Sequence, residues 1–152
     1  LYVWGGGWNE STRKGLSDTM TSWYNKWSAN PSSYDYNNYR DLSTSNRAKG
    51  FDCSGFVGYV MMQSGVWSSH PGSCDGIASK CTKVSMSSAQ PGDIVFFKGT
   101  YRTSHTYSHV GIYLGNGQMI HASSSNGISI DKITSGYWAK HYSSIARPST
   151  LM

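Results

Sequence analysis

The sequence predicts an α+β fold, in which N-terminal helices pack on one face of a C-terminal antiparallel sheet of about five or six strands. Between residues 53 and 65, apolar side chains recur at the spacing of one helical face. From residue 91 onward, the chain breaks into short β-branched and aromatic runs separated by turn residues. Helices followed by strands favour α+β over alternating βαβ units. Because 152 residues are the size of one domain, we expect a single domain over residues 1–152.

Each predicted element follows from a local pattern. A first helix is expected near residues 14–28, before a polar, loop-rich stretch. The second helix covers residues 53–65, where Asp52 is a favoured N-cap residue and Gly65 ends the pattern. Residues 66–90 contain Pro-Gly and many serines, which predict a long surface connection. The predicted strands cover residues 94–97, 110–114, 118–122, 128–130 and 143–146.

The composition limits the classes of protein. The 13 basic residues outnumber the 8 acidic ones, but they are scattered singly, which argues against nucleic-acid binding and fits diffuse attraction to an anionic polymer such as a bacterial wall. Aromatic residues make up 14% of the chain, a content typical of surfaces that bind sugars and peptides. No apolar stretch approaches the roughly 18 residues of a membrane span. Because the chain begins at Leu1 without an initiator methionine, we expect a piece of a longer protein.

Cys53 is the residue that points most directly to chemistry. It follows the predicted N-cap Asp52, in the first turn of the second helix. The unpaired N–H groups and the positive dipole end of that turn favour an anion, so the thiolate form of Cys53 should be stabilised. A thiolate attacks carbonyl groups. The alternative is that Cys53 is a small buried apolar residue of a core helix.

The other two cysteines leave several arrangements open. Cys74 and Cys81 could close a small disulfide loop and leave Cys53 as a thiol, or both could be reduced surface cysteines. A zinc site of His70, Cys74 and Cys81 lacks the short paired spacings of structural zinc motifs and a fourth ligand nearby. We therefore expect neither a metal nor a cofactor.

Two histidines lie on neighbouring predicted strands, and the loop between the strands decides whether they meet. His109 shares a strand face with Gly111, which we expect to leave open space beside the imidazole. A two-residue turn at residues 116–117 would put His109 and His121 on opposite faces of the sheet. A three-residue loop at residues 115–117 makes them diagonal neighbours on one face, and this is the loop we predict.

On that geometry, one imidazole can take the proton from the Cys53 sulfur while the other orients it. We assign His109 as the base and His121 as the orienting residue. The three remaining histidines lie in polar or serine-rich segments and are expected to be exposed loop residues; they are His70, His105 and His141.

These residues resemble the NlpC-type cysteine peptidases, which are papain-like hydrolases of the bacterial cell wall. The matching segments follow the family's order over residues 2–122. They are Tyr2-Val3-Trp4-Gly5-Gly6, Asp52-Cys53-Ser54-Gly55-Phe56-Val57, Gly92-Asp93-Ile94-Val95-Phe96-Phe97 and Ser108-His109-Val110-Gly111-Ile112-Tyr113-Leu114-Gly115-Asn116-Gly117-Gln118-Met119-Ile120-His121-Ala122. The stretch between the first two segments is longer than is usual in the family, and the region of Cys74 and Cys81 has no counterpart.

The resemblance implies a papain-like fold, with the helix that begins at Cys53 packed on the sheet, and an endopeptidase that cleaves peptidoglycan stem peptides between D-γ-glutamyl and the diamino acid. It implies a Cys53, His109 and His121 triad, a Tyr2 hydroxyl beside the nucleophile, and Asp52 and Ser54 flanking the substrate pocket. Such an enzyme is secreted or associated with the cell wall, and we expect it to act as a monomer.

Other functions stay open on the same residues. An amidase would cleave the bond between N-acetylmuramic acid and L-alanine with the same nucleophile. A non-catalytic wall-binding module would use the aromatic residues alone and leave the cysteine incidental. Papain-like folds also support acyl transfer to an acceptor other than water, or hydrolysis of an amide outside the wall.

Overall fold

A computed structural model describes residues 52–123 and 127–152 of the chain. Within these residues, the helices are α1 (Cys53–Gln63), α2 (Cys74–Ser79) and α3 (Gly136–His141), and two short 3-10 turns cover Met86–Ser88 and Ser149–Leu151. The strands are β1 (Cys81–Val84), β2 (Ile94–Phe97), β3 (His109–Gly115), β4 (Gln118–Ser123), β5 (Gly127–Lys132) and β6 (Tyr142–Pro148). The helix predicted near residues 14–28 lies outside the described residues.

The six strands form one antiparallel sheet in the order β1-β6-β2-β3-β4-β5. This confirms the predicted α+β class, and the five predicted strands are all present. The long surface connection predicted for residues 66–90 is wrong in part, because this segment contains α2 and the edge strand β1. Both elements are too short to show a clear periodicity in the sequence.

Helix α1 begins and ends for local reasons. The Asp52 side chain accepts a hydrogen bond from the Gly55 N–H, as predicted for an N-cap residue. The helix ends at Gln63, two residues before the predicted end, and Gly65 takes a left-handed φ of 76° just beyond it. None of the helices in the described part of the chain has both the length and the apolar content needed to cross a membrane.

The sheet has a hydrophobic cluster on each face. Helix α1 packs against β3 and β4, and α2 packs against α1 and β1. On this first face, α1 buries Phe56, Val57 and Met61 together with apolar residues of the central strands. The second face holds a separate cluster that includes Val95, Phe97, Tyr113, Met119 and Ile145, against which Trp138 of α3 packs. Helices therefore cover both faces of the sheet.

The turn between β3 and β4 differs from the prediction. Asn116 and Gly117 form a two-residue turn with φ values of 54° and 71°, the positive sign that type I′ hairpin turns require at both positions. Gly115 then pairs with Gln118. The predicted three-residue loop is therefore wrong.

A bulge next to this turn restores the predicted register. The pairing shifts by one residue between Tyr113 and Gly115, after which Tyr113 pairs with Met119 and Ile112 with Ile120. This is the register that the three-residue loop would have given, so the two histidines of the hairpin lie on the same face, as predicted.

Candidate active site

Cys53 lies at the N-terminal end of α1 in the position predicted for a nucleophile. The Asp52 carboxylate accepts the Gly55 N–H at 2.6 Å, and the Ser54 hydroxyl donates to the same oxygen at 3.3 Å. The Cys53 residue is 7% exposed. Because the first-turn N–H groups of a helix have no acceptor within it, their positive ends stabilise an anion at this position.

The surroundings of Cys53 favour its thiolate. A hydrogen bond from the Cys74 thiol holds the pKa of Cys53 well below its usual range, and burial opposes this shift. The imidazole of His109, through a hydrogen bond and its charge, and the backbone N–H of Ser54 lower the pKa of Cys53 further. The thiolate is thus supported by a thiol, an imidazole and the helix backbone.

His109 and His121 meet at one end of the sheet. His109 is the first residue of β3 and His121 lies near the end of β4, so the antiparallel pairing brings them together. Nε2 of His109 is 2.8 Å from Nδ1 of His121, and the two rings are perpendicular. The His109 imidazole also lies near enough to Cys53 to lower the pKa of its thiol. The structure therefore brings together the three side chains that the sequence predicts as a triad.

Asp131 on β5 extends this chain of hydrogen bonds, and sequence reasoning missed it. Its Oδ2 atom lies 2.7 Å from Nε2 of His121. In the pairing of β4 with β5, Asp131 lies opposite Met119, which places it diagonally opposite His121 on the same face of the sheet. A predicted strand that included Asp131 would have indicated this position. The predicted strand ended one residue too early to include it.

The Asp131 carboxylate determines which ring nitrogens carry protons. An ionised carboxylate only accepts hydrogen bonds, so Nε2 of neutral His121 must donate to it. Nδ1 of His121 then accepts from Nε2 of His109, which leaves Nδ1 of His109 as the nitrogen that can take a proton from sulfur. The pKa of His121 is lowered, above all by burial and against the opposing effect of Asp131, which favours the neutral ring that this arrangement requires.

Trp138 covers the histidine pair. Its ring stacks on His109 with centroids 4.6 Å apart and meets the ring of His121 edge-on at 4.8 Å. Phe97 contacts both Trp138 and His109. These rings limit how the imidazoles can rotate and keep water from one side of them. The short helix that carries Trp138 was not predicted, because no helical periodicity marks it.

The other predicted site residues are placed unevenly. Asp52 and Ser54 lie next to the nucleophile and hydrogen-bond to each other, whereas Tyr2 lies outside the described residues.

The space predicted beside Gly111 is filled: a Cβ atom there would lie 2.6 Å from Sδ of Met119 and 3.2 Å from Cβ of His121. Glycine is needed at this position for close packing of the two strands.

The remaining cysteines and histidines do not form the sites considered above. All three cysteines are free thiols, so no Cys74–Cys81 disulfide is present. Cys74 is buried next to Cys53 instead of being a surface residue. Within residues 52–123 and 127–152, no group of three or more His, Cys, Asp or Glu side chains is arranged to hold a metal ion. The other histidines make local contacts; these are His70 with the Gly72 N–H, His105 with Asp75, and His141 with the carbonyl of Lys98.

Comparison with known proteins places this arrangement in a family. The NlpC/P60 family model matches residues 1–147. Peptidoglycan DL-endopeptidase CwlO of Bacillus licheniformis is 36% identical over 122 residues, which cover 80% of this chain and 24% of that protein. Probable endopeptidase p60 of Listeria seeligeri is 47% identical over 91 residues, which cover 60% of this chain and 16% of that protein.

A solved structure agrees with the fold. The crystal structure of an NLP/P60 family protein from Staphylococcus aureus subsp. aureus Mu50, similar to a lipoprotein, has a TM-score of 0.59 at 33% identity; the match covers 64% of this chain and 32% of that one. The fold therefore defines an α+β domain of the papain-like type. With a family model matching almost its whole length, the chain belongs to the NlpC/P60 family. It spans about a quarter or less of the two curated relatives.

Proposed function

We propose that this chain is a peptidoglycan hydrolase, a cysteine endopeptidase that cleaves stem peptides between D-γ-glutamyl and the diamino acid. The single observation that carries the proposal is the placing of Cys53 beside His109, which is hydrogen-bonded to His121 and through it to Asp131. The names of the two relatives, a peptidoglycan DL-endopeptidase and a probable endopeptidase, support the substrate class.

The first half of the reaction forms a thioester. His109 takes the Cys53 proton at Nδ1, and the thiolate attacks the peptide carbonyl. The negative charge that develops on the carbonyl oxygen is stabilised by N–H groups of the first turn of α1. Because Asp52 already engages the Gly55 N–H, we assign this role to the N–H groups of Cys53 and Ser54. We also propose that the Tyr2 hydroxyl assists, since the resemblance implies a tyrosine beside the nucleophile.

The second half releases the products. The imidazolium of His109 protonates the leaving amine, and water then attacks the thioester with His109 acting again as base. His121 keeps His109 in the reactive tautomer, and Asp131 does the same for His121. No step needs a metal or a cofactor. Asp52 and Ser54 flank the position of the substrate and are proposed to contact it.

The proposed activity also implies where the enzyme acts and in what form. Stem peptides lie in the wall outside the bacterial membrane, so the enzyme would be secreted or associated with the wall. We propose that residues 1–152 act as one catalytic domain of a longer protein and as a monomer. The weak positive charge of +5 would favour contact with the anionic wall.

The test is digestion of purified walls of two chemotypes, one with meso-diaminopimelate and one with lysine. The wild-type chain is compared with Cys53→Ala and with Cys81→Ala, a matched control in which the lost thiol lies on the edge strand β1. We expect the wild type and Cys81→Ala to release soluble fragments with a new amino group on the diamino acid, and Cys53→Ala to release none.

The products also separate the competing functions. A new amino terminus on L-alanine would identify an amidase and overturn the proposed bond. Unchanged release by Cys53→Ala would overturn the mechanism. Wall binding without any fragments from the wild type, together with equal pelleting of Cys53→Ala, would identify a non-catalytic binding module.

A further inference from the structure

Cys74 places a second buried thiol beside the nucleophile. The Sγ atoms of Cys53 and Cys74 are 3.8 Å apart, and both residues are buried, at 7% and 6% exposure. Each cysteine is the first residue of a helix, α1 or α2. In the candidate site, the only role assigned to Cys74 is that of a hydrogen-bond donor to the thiolate. A donor of this kind needs no sulfur, so the pairing of two sulfurs calls for its own explanation.

The contacts of α2 keep the second sulfur in position. The Ser73 hydroxyl accepts the Gly76 N–H at 3.2 Å and caps the helix. The Asp75 carboxylate accepts the N–H groups of Thr106 and Tyr107 at 2.9 and 3.0 Å. These contacts attach α2 to the loop that leads into His109. Cys74 is therefore held between the nucleophile helix and the segment that carries the proposed base.

We propose that Cys53 and Cys74 form an oxidation site, at which a hydroperoxide converts the two thiols to a disulfide. The Cys53 thiolate attacks the terminal peroxide oxygen and the O–O bond breaks; hydroxide leaves from hydrogen peroxide, or alkoxide from an organic hydroperoxide, and Cys53 becomes a sulfenic acid. The Cys74 sulfur then attacks the Cys53 sulfur, the S–O bond breaks, and water leaves with the Cys74 proton. The peroxide gains two electrons and the sulfur pair loses two.

Geometry and charge favour the second step over further oxidation. The sulfurs must approach from 3.8 Å to about 2.05 Å, a shorter movement than separate buried thiols would need. In the resting protein the pKa of Cys74 is raised, first by its hydrogen bond with Cys53 and then by burial and the negative charge of Cys53. The sulfenic acid carries no charge, so part of this barrier to deprotonating Cys74 disappears once Cys53 is oxidised.

The bond would protect the nucleophile and stop catalysis at the same time. A thiol that has no partner goes on to the sulfinic and sulfonic acids, which thiol reductants do not restore, whereas a disulfide is returned to two thiols by them. The expected loss of wall hydrolysis on oxidation rests on the proposed function. The formation of the disulfide does not rest on it, because the disulfide is detected from peptide masses alone.

The experiment treats the reduced chain with hydrogen peroxide, blocks remaining thiols under denaturing conditions, and maps peptides. Trypsin cleaves after Lys49 and Lys80, so residues 50–80 contain both sulfurs of the pair and Cys81 starts the next peptide. We expect residues 50–80 to become lighter by two hydrogens and to resist alkylation, and chymotrypsin to leave two linked peptides. Cys81 should still be alkylated. Wall hydrolysis should be lost and should return with dithiothreitol.

Two variants complete the test, each compared with its own reduced activity. Cys81→Ala should behave as the wild type, whereas Cys74→Ala should lose activity that dithiothreitol does not restore, with oxygen added at Cys53. The proposal is overturned if the wild type gains oxygen at Cys53 without a linked peptide, or if the link involves Cys81. It is also overturned if Cys74→Ala recovers as fully as the wild type. A wild type that forms the linked peptide but never digests walls would contradict only the proposed function.

Discussion

The sulfur side and the imidazole side of the candidate site are stabilised in different ways. Cys53 depends on a neighbour that can itself react, because its strongest supporting contact is the thiol of Cys74. The imidazole side depends on two short hydrogen bonds between fixed strands, from His109 to His121 and from His121 to Asp131, and on the ring of Trp138. The first arrangement can be changed by an oxidant, and the second is held by the sheet itself.

This difference predicts which property of the enzyme changes when each half of the site is altered. Changes on the imidazole side should mainly slow proton transfer and should leave the Cys53–Cys74 pair in place to form its disulfide. Changes beside the sulfur should alter the pH at which the thiolate forms and the outcome of oxidation. The following variants test this division, from the largest expected effect to the smallest.

His109→Ala removes the only proposed base and should have the largest effect. We expect a roughly thousandfold loss of kcat for wall hydrolysis, since a positioned acid or base commonly contributes 10²–10⁴-fold. Fragment release measured over time, with circular dichroism to confirm folding, provides the measurement. His105→Ala changes an exposed histidine and serves as the control. A loss confined to KM would contradict the assignment of His109 as base.

Asp131→Asn should reduce kcat by roughly ten- to a hundredfold, less than the loss of a general base, because Asp131 acts on His109 only through His121. The carboxylate raises the pKa of His121 against the lowering effect of burial. Without it, the pKa of His121 falls further and positive charge on the imidazole pair is less stable. The alkaline limb of the pH profile of kcat/KM should therefore move to lower pH. Lys132→Ala, a change to the exposed neighbour on β5, should leave the profile unchanged.

Cys74→Ala should cause a loss of roughly a few-fold near neutral pH, and a greater loss in acid. The Cys74 hydrogen bond is the largest cause of the lowered pKa of Cys53, so its removal raises that pKa. At a given acidic pH, less Cys53 is then in the thiolate form, and the acidic limb of the activity profile moves to higher pH. Alkylation of Cys53 by iodoacetamide as a function of pH measures the same change directly. An unchanged acidic limb would show that Cys74 does not stabilise the thiolate.

The sequence predicted the parts of the site whose geometry is local. Asp52 caps α1 and positions Cys53 through contacts within one helical turn, and these can be inferred from residue type and spacing. The pairing of His109 with His121 also depends on one short hairpin. Even there, the predicted turn was wrong although the predicted register was right. A bulge beside Gly115 compensates for the shorter turn, and no distinct pattern in the sequence indicates that bulge.

The residues that sequence reasoning missed come from distant segments. Cys74 reaches Cys53 through the packing of α2 on α1, and Trp138 reaches His109 from a short helix near the C-terminal end. Their placement is set by tertiary packing, which a pattern within one segment does not reveal. Asp131 lies between these two cases, because it could have been predicted from the sequence with a correct boundary for β5, which places it diagonally opposite His121.

Substitutions of Asp52 should have the smallest effect of the series, and two of them separate the structural role of this residue from its proposed contact with the substrate. Asp52→Ala removes the hydrogen bond to the Gly55 N–H and should lower the free energy of unfolding by about 1 kcal/mol, measured by urea denaturation. Asp52→Asn keeps a good N-cap side chain without its charge, so its stability should match the wild type. If the charge of Asp52 also contacts the substrate, as proposed above, Asp52→Asn should raise KM for wall fragments with little change in kcat. Wild-type KM in Asp52→Asn would leave the carboxylate with a structural role alone, in which case the sulfur side of the site contributes the nucleophile and its cap but no contact with the substrate charge.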